Sequence, residues 1–178
     1  MNIKGIIFDL DGTLSESGEG ILWCVRRTIE DLKIVVPENF RLESFIGPPL
    51  ADSFYRLGLD DEKVKLGVKT YKSYYDTKGK YMNKAYDGIK ELLERLREKG
   101  YKLGVATSKY ELFARQIIDN IGLLQYFDFV SGATANAERQ KKIDVLNYGI
   151  KNLGATPENS ALIGDTKFDG KIFTSVSI

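Results

Sequence analysis

Three short apolar runs that each end in polar residues constrain the fold of this 178-residue chain more than any other feature. The runs cover residues 3–8, 101–106 and 161–163, and a further short apolar run covers residues 127–131. Stretches with apolar residues at every third or fourth position separate them, which is the spacing of amphipathic helices. Strands that alternate with helices predict an α/β fold with a doubly wound parallel sheet, similar to a Rossmann core.

The helical stretches differ in character along the chain. Residues 142–153 predict a helix with an apolar stripe that includes Ile143. Residues 34–83 are rich in tyrosine and show no strand pattern. Within this segment Pro37 fits a helix start, and Pro49 opens the next helix. We interpret the tyrosines of this segment as helix-packing residues.

This change of pattern predicts an insertion in the α/β core. We expect residues 1–14 and 84–178 to form the core and residues 15–83 to form an inserted helical cap. Both connections contain glycine, so we expect the cap to move as a lid that admits substrate and excludes water.

Composition excludes several classes of function. The chain has no histidine, which excludes Ser-His-Asp triads, Cys-His dyads and histidine metal sites. Its single cysteine, Cys24, excludes an intrachain disulfide and is expected to be buried as a small hydrophobe. The net charge of +1 indicates neither a nucleic-acid nor a membrane partner. With no signal peptide and no membrane-spanning run, we expect a cytoplasmic protein that is a monomer or a weak homo-oligomer.

Acidic residues follow two of the predicted strands, and hydroxyl residues follow a third. Asp9 and Asp11 come after the first run, Thr107 after the second, and Asp165 and Asp169 after the last. Because the carboxyl ends of parallel strands meet at one edge of a sheet, we expect these groups to converge. Several carboxylates in one place repel each other unless a cation is present, and Mg²⁺ prefers such oxygen ligands. The pattern therefore predicts a Mg²⁺ site.

The same groups suit phosphoryl transfer. One aspartate can attack a phosphoryl group, and a second, two residues away, can transfer protons to and from the reacting oxygens. Hydroxyl groups, backbone N–H groups and a lysine can bind the charged phosphoryl oxygens. Lys142 is the preferred lysine, with its neighbour Lys141 as the open alternative. The candidate phosphate-binding residues are Asp9, Gly12, Thr107, Ser108 and Lys142.

These residues resemble the four motifs of the haloacid dehalogenase superfamily, in the same order and spacing. The motifs are Asp9-Leu10-Asp11-Gly12-Thr13, Ala106-Thr107-Ser108-Lys109, Lys142, and Gly164-Asp165 with Asp169. The place of the insertion resembles the subfamily with a helical cap. Within the cap, Phe45-Ile46-Gly47-Pro48-Pro49-Leu50 is similar to the phosphoglycolate phosphatase and 5′-nucleotidase-like branch.

The resemblance implies a role for each residue. Asp9 would be the nucleophile and a Mg²⁺ ligand, and Asp11 would be the general acid and base that also gives its backbone carbonyl to the metal. Thr107 would hold the phosphoryl group, and Lys142 would neutralise it. Asp165 would complete the metal site. The last motif aspartate, Asp169, would bind Mg²⁺ through water or orient its neighbours.

The implied activity is a Mg²⁺-dependent phosphatase for a small phosphorylated metabolite, of the phosphoglycolate or nucleoside monophosphate type. Two alternatives stay open, which are a phosphomutase of the same superfamily and a non-catalytic module that binds phosphate or a partner. The second arises because residues 170–178 lack the helical periodicity that the family pattern requires there. We accordingly expect the last strand of the usual core to be missing.

Overall fold

The computed structural model describes residues 3–134, 138–139 and 141–165. The chain divides into two compact units, one formed by Met1–Glu16 and Lys84–Ile178 and the other by Ser17–Asn83. The strands are β1 (Gly5–Phe8), β2 (Ser15–Glu16), β3 (Lys84–Ala85), β4 (Lys102–Tyr110), β5 (Phe129–Ala133) and β6 (Ser160–Ile163). The helices are α1 (Gly18–Leu32), α2 (Leu50–Arg56), α3 (Asp61–Thr77), α4 (Ile89–Glu98), α5 (Glu111–Asn120) and α6 (Lys142–Asn152).

A four-stranded parallel sheet in the order β5-β4-β1-β6 forms the centre of the first unit. Strand β1 is central, and its Gly5 pairs with Lys102 on one side and with Ser160 on the other. All four residues of β1 are buried, as expected for a parallel strand covered on both faces. The predicted α/β fold class is confirmed. The strand order reverses between β1 and β6, which is where ligands bind in open α/β sheets.

Helix α6 packs against one face of this sheet. Ile7 of β1, Ala106 of β4 and Leu162 of β6 form a buried cluster with the apolar face of α6. Gly104 allows close packing, because a Cβ there would lie 2.8 Å from Leu153 Cδ1. Ile143 belongs to the predicted apolar stripe, but it lies in the first turn of α6 and is 38% exposed.

Strand β4 is longer than predicted. It continues through Thr107, Ser108 and Lys109 to Tyr110, whereas the sequence indicated a strand that ends at residue 106. Its pairing with β5 is irregular between Ala106 and Tyr110, so the ladder resumes after a local distortion. The polar composition of this segment resembles a loop, but pairing with β5 keeps it extended.

The second unit, Ser17–Asn83, is helical. Cys24 is fully buried, as predicted. Its Sγ atom lies close to Gly79, where a Cβ would be only 2.3 Å away. Tyr71 and Tyr75 are buried and stack with ring centroids 5.7 Å apart. The prediction of a helix start at Pro37 is wrong, because the residues that follow it form a turn.

The two chain connections of the helical unit run side by side. Ser15 and Glu16 of β2 pair antiparallel with Ala85 and Lys84 of β3. Residues 170–178, where the sequence departs from the family pattern, lie outside the described residues. No helix in the described part of the chain is long and apolar enough to cross a membrane.

Candidate active site

A tight turn follows β1 and holds the first pair of aspartates. The N–H groups of Thr13, Leu14 and Ser15 all donate to the carbonyl oxygen of Leu10, and Gly12 N donates to Ser15 O. Gly12 adopts φ +78°, a left-handed conformation that glycine tolerates without a steric penalty. The chain therefore reverses directly after the strand and leaves Asp9 and Asp11 at its carboxyl end.

Both carboxylate oxygens of Asp9 contact donors of the described residues. Its Oδ1 accepts a hydrogen bond of 2.8 Å from Leu10 N, and its Oδ2 lies 2.8 Å from Lys142 Nζ. Lys142 is the first residue of α6, and both side chains of this ion pair are mostly buried. The neighbouring Lys141 is exposed at the N-cap position, so of the two lysines it is Lys142 that contacts Asp9.

Asp11 contacts a different lysine. Its Oδ2 lies 3.2 Å from Lys109 Nζ, and Lys109 belongs to β4. The second carboxylate oxygen of Asp11, Oδ1, is buried and has no hydrogen-bond partner among the residues that the structure describes. The hydroxyl oxygen of Thr13 is also buried and has no hydrogen-bond partner among those residues. Unsatisfied buried oxygens of this kind indicate a place for a ligand, because their burial alone costs free energy.

Thr107 and Ser108 differ in their environments. Thr107 is 2% exposed, and its Oγ1 accepts a hydrogen bond of 3.2 Å from Lys109 N. Ser108 is exposed, as expected for the next residue of a strand, where side chains alternate between faces. The structure thus directs Thr107 and Lys109 inward and Ser108 outward.

Asp165 lies against the turn after β1. A Cβ atom at Gly12 would be 2.3 Å from Asp165 Oδ2, so any larger residue at position 12 would displace this carboxylate. The pair brings the ends of β1 and β6 together, at the reversal of strand order. Asp169, the other predicted acidic residue of this motif, lies outside the described residues.

The electrostatic field at this edge is negative enough to affect a neighbouring tyrosine. The pKa of the Tyr86 hydroxyl is raised. Burial is the largest cause, and the negative charges of Glu16, Asp165 and Asp11 add to it. Within the described residues, no group of three acidic or sulfur side chains is close enough to form a complete metal site. The carboxylate oxygens and the unsatisfied Asp11 Oδ1 nevertheless suit a hard cation such as Mg²⁺.

Neither Lys109 nor Tyr86 was predicted to belong to the site. A signal for Lys109 was present, because a residue two positions after Thr107 points to the same side of an extended strand. The predicted end of the strand at residue 106 hid this relationship. Tyr86 had no comparable signal, since only the pairing of β3 with β2 brings it to the acidic turn.

Comparison with known proteins gives matches along nearly the whole chain. Residues 6–172 match the family model described as haloacid dehalogenase-like hydrolase. The tyrosine-protein kinase PtkA of Mycobacterium tuberculosis is 37% identical over 164 residues, which cover 92% of this chain and 56% of the kinase. The chain therefore spans only about half the length of that relative.

Two further relatives are matched over more of their length. A 5′-nucleotidase of Pseudomonas aeruginosa is 37% identical over 170 residues, covering 95% of this chain and 77% of that protein. The structure of a haloacid dehalogenase-like hydrolase from Streptococcus pneumoniae has a TM-score of 0.85 and 34% identity, covering 96% of this chain and 79% of that one. The resemblance found in the sequence motifs is confirmed, and the chain belongs to the haloacid dehalogenase-like hydrolase family.

Proposed function

We propose that this chain is a phosphatase that hydrolyses small phosphate monoesters through an aspartyl-phosphate on Asp9. The observation that carries the proposal is the pair of lysine–aspartate contacts at the end of β1, Lys142 with Asp9 and Lys109 with Asp11. This arrangement gives two carboxylates separate environments within one site, as a nucleophile and a proton-transfer group require.

In the first step, an oxygen of the Asp9 carboxylate attacks the phosphorus atom. A bond forms between that oxygen and phosphorus, and the bond from phosphorus to the ester oxygen breaks. Asp11 donates a proton to the leaving oxygen, so the product departs as an alcohol. Lys142 already contacts Asp9 and would neutralise the phosphoryl oxygens, while the Thr107 hydroxyl would donate a hydrogen bond to them.

In the second step, water hydrolyses the aspartyl-phosphate. Asp11, now a carboxylate, accepts a proton from the water as its oxygen attacks phosphorus. The bond between phosphorus and the Asp9 oxygen breaks, which regenerates the Asp9 carboxylate and releases inorganic phosphate. Lys109 would hold Asp11 in the orientation needed for both proton transfers.

The residues at this edge also fit Mg²⁺. Asp9, Asp11 and Asp165 offer oxygen ligands, and Asp11 Oδ1 has no hydrogen-bond partner among the described residues. Burial is the main cause of the raised pKa of Tyr86, and the charges of Glu16, Asp165 and Asp11 add to it. Asp169 would join them according to the family motif. When bound, Mg²⁺ supplies positive charge that stabilises the charged phosphoryl oxygens.

We propose a phosphorylated metabolite of the phosphoglycolate or nucleoside monophosphate type as substrate. The 37% identity to a protein named 5′-nucleotidase supports the nucleotide type. We also propose that the two units have different roles. The unit that contains Asp9 would perform the chemistry, and Ser17–Asn83 would act as a cap that selects the substrate.

The test is phosphate release from p-nitrophenyl phosphate and from a panel of phosphorylated metabolites, with and without Mg²⁺. We expect release only with Mg²⁺ and no release by Asp9→Asn. Asp119→Asn is the matched control, because Asp119 is an exposed aspartate on α5. Activity that Asp9→Asn retains, or that Mg²⁺ does not affect, would refute the proposal.

A second candidate function is transfer of the phosphoryl group from Asp9 to an acceptor hydroxyl instead of water. The 37% identity to a protein named tyrosine-protein kinase favours it, and a phosphomutase would use the same step. Asp11 would then accept the proton of the acceptor hydroxyl. With sugar or tyrosine-peptide acceptors in the assay, transfer would release more p-nitrophenol than inorganic phosphate, whereas hydrolysis would release equal amounts.

A further inference from the structure

We propose that the ion pair between Glu111 and Arg139 positions the two lysines of the active site. The pair contacts neither Asp9 nor Asp11, and no motif identified in the sequence includes either residue. This inference rests on the proposed function, because it assigns Lys109 and Lys142 to the reacting groups. Arg139 and Glu111 are positioning residues, which act through the segments that carry those lysines.

Glu111 is the first residue of α5 and links three parts of the first unit. Its Oε2 accepts a hydrogen bond of 2.7 Å from Arg139 Nη2 and another of 3.2 Å from Gly132 N at the end of β5. Its Oε1 lies 3.8 Å from Arg115 Nε. One carboxylate therefore connects the end of β4, the end of β5 and the segment that leads into α6.

Arg139 is fixed at both its backbone and its side chain. Its N–H donates to Thr134 Oγ1, and its carbonyl accepts from Thr134 N, which ties the segment to the end of β5. The guanidinium is mostly buried and lies 3.7 Å from the ring centroid of Tyr148 on α6. A guanidinium that is both stacked and ion-paired has little freedom to move.

The chain from this pair to each lysine is short. Lys109 precedes Glu111 by two residues, and Lys142 follows Arg139 by three. Gly132 of β5 allows close packing against the first of these segments, because a Cβ there would lie 2.7 Å from Lys109 O and 2.6 Å from Glu111 Cα. A shift of Arg139 or Glu111 would thus be transmitted to Lys142 and Lys109, and small displacements of catalytic groups reduce rates strongly.

The first unit contains a matched ion pair at the opposite edge of the same strands. Arg97 Nη1 lies 2.6 Å from Asp128 Oδ2, and Asp128 directly precedes β5. This pair also connects neighbouring elements, but it lies at the amino ends of β4 and β5, away from the aspartates. Arg97→Met therefore controls for the loss of an ion pair as such.

Lysine reactivity tests the inference without any need for catalysis. Trace acetylation followed by mass spectrometry would compare Lys109 and Lys142 with the exposed Lys151 in one sample. We expect Arg139→Met and Glu111→Gln to raise the relative acetylation of both active-site lysines about fivefold, since their contacts with Asp11 and Asp9 loosen. Arg97→Met should leave both ratios unchanged. Unchanged ratios in Arg139→Met, or equal changes in Arg97→Met, would overturn the inference.

Kinetics give the second measurement. We expect Arg139→Met to lower kcat about tenfold to a hundredfold with little change of KM, and Arg139→Lys, which keeps the charge, to restore part of the loss. A kcat equal to that of Arg97→Met would contradict the inference. If the wild-type protein releases no phosphate, the proposed function fails, while the acetylation ratios still decide on the positioning.

The variants should fold, because Glu111 retains Arg115 as a charged neighbour when Arg139 is replaced. Should Arg139→Met unfold, Arg139→Lys and Glu111→Gln provide the same two measurements. In folded Glu111→Gln, wild-type acetylation together with wild-type kcat would overturn the inference.

Discussion

Lys109 Nζ lies 3.2 Å from Asp11 Oδ2, so a residue of β4 contacts the carboxylate in the turn after β1. If this contact orients Asp11 for proton transfer, its loss should matter most when the leaving group needs a proton. We expect Lys109→Met to lower kcat about tenfold for an alkyl phosphate and less for p-nitrophenyl phosphate. Steady-state kinetics with both substrates measure the difference, and Lys99→Met on the exposed surface is the control. Equal losses for both substrates would contradict this role.

The division of labour between Asp9 and Asp11 can be tested by trapping. An amide at position 9 is a poor nucleophile, so Asp9→Asn should give no phosphorylated enzyme. Asp11→Asn should still be phosphorylated by p-nitrophenyl phosphate, whose leaving group needs no proton, and should then lose phosphate slowly because no base activates water. Mass spectrometry after rapid quenching should locate the phosphoryl group on the peptide that contains Asp9. Trapping in Asp9→Asn instead would reverse the assignment.

Adjacent lysines at the start of α6 offer an internal comparison. Lys142 contacts Asp9, whereas Lys141 is exposed. We expect Lys142→Met to reduce kcat about a hundredfold or more, the usual effect of removing a group that stabilises transition-state charge. Lys141→Met should retain wild-type kinetics. Measurement of both variants decides between the two lysines, and a larger effect at Lys141 would show that the wrong one was chosen.

Alanine substitutions at Gly12 and Gly122 would distinguish the effect of backbone strain from the effect of crowding at the candidate site. Both have positive φ, +78° and +72°, so alanine at either position should cost about 1 kcal/mol of the free energy of unfolding. Only at Gly12 would the new Cβ meet Asp165, since the space beside Gly122 is open. We therefore expect Gly12→Ala alone to raise, about tenfold, the Mg²⁺ concentration for half-maximal activity. Titration of activity with Mg²⁺ and urea unfolding measure the two effects, and equal Mg²⁺ dependence in both variants would contradict the prediction.

Asp128 should make stability depend on pH. Burial acts to raise its pKa, but the hydrogen bond from Leu103 N and the contacts with Arg97 and Lys102 outweigh burial, and the pKa lies below its usual value. A lowered pKa in the folded state means that this contribution to stability is fully present above about pH 4. This contribution is lost as pH falls through the lowered pKa of the folded state, because the unfolded chain takes up the proton at a higher pH than the folded chain.

The measurement is the free energy of unfolding of the wild type and of Asp128→Asn at several pH values. The difference between them should be constant from pH 7 to about pH 5 and should shrink in more acidic buffer. A difference that grows on acidification would contradict the assigned direction.

The sequence predicted the sheet well because its strands are short apolar runs buried on both faces, and this pattern has few alternative interpretations. It failed where tertiary contacts outweigh local preference. Residues 107–110 have the composition of a loop but belong to β4, whose pairing with β5 resumes at Tyr110. Ile143 fits the helical stripe but occupies the first turn of α6, where it is exposed. Pro37 is compatible with a helix start, yet a turn follows it.

The site shows the same contrast. Asp9, Asp11 and Asp165 could be placed at one edge of the sheet, because each follows a strand and parallel strands end at one edge. Thr107 was placed near them as a residue after a strand, but it lies inside β4. The contacts at the site could not be predicted, since each depends on the register of β4 and on where α6 begins. Arg139 had no local signal at all, because its partner Glu111 lies 28 residues earlier in the chain.

The pairing of β2 with β3 has a consequence for how this chain can change. Because Glu16 and Lys84 face each other across two antiparallel strands, residues 17–83 are topologically the loop of a β-hairpin whose strands belong to the first unit. A two-residue turn could close the same hairpin, and loop-closure entropy increases only slowly with length. One insert can therefore be exchanged for another of different length while the strands that precede Asp9 and Asp165 stay as they are.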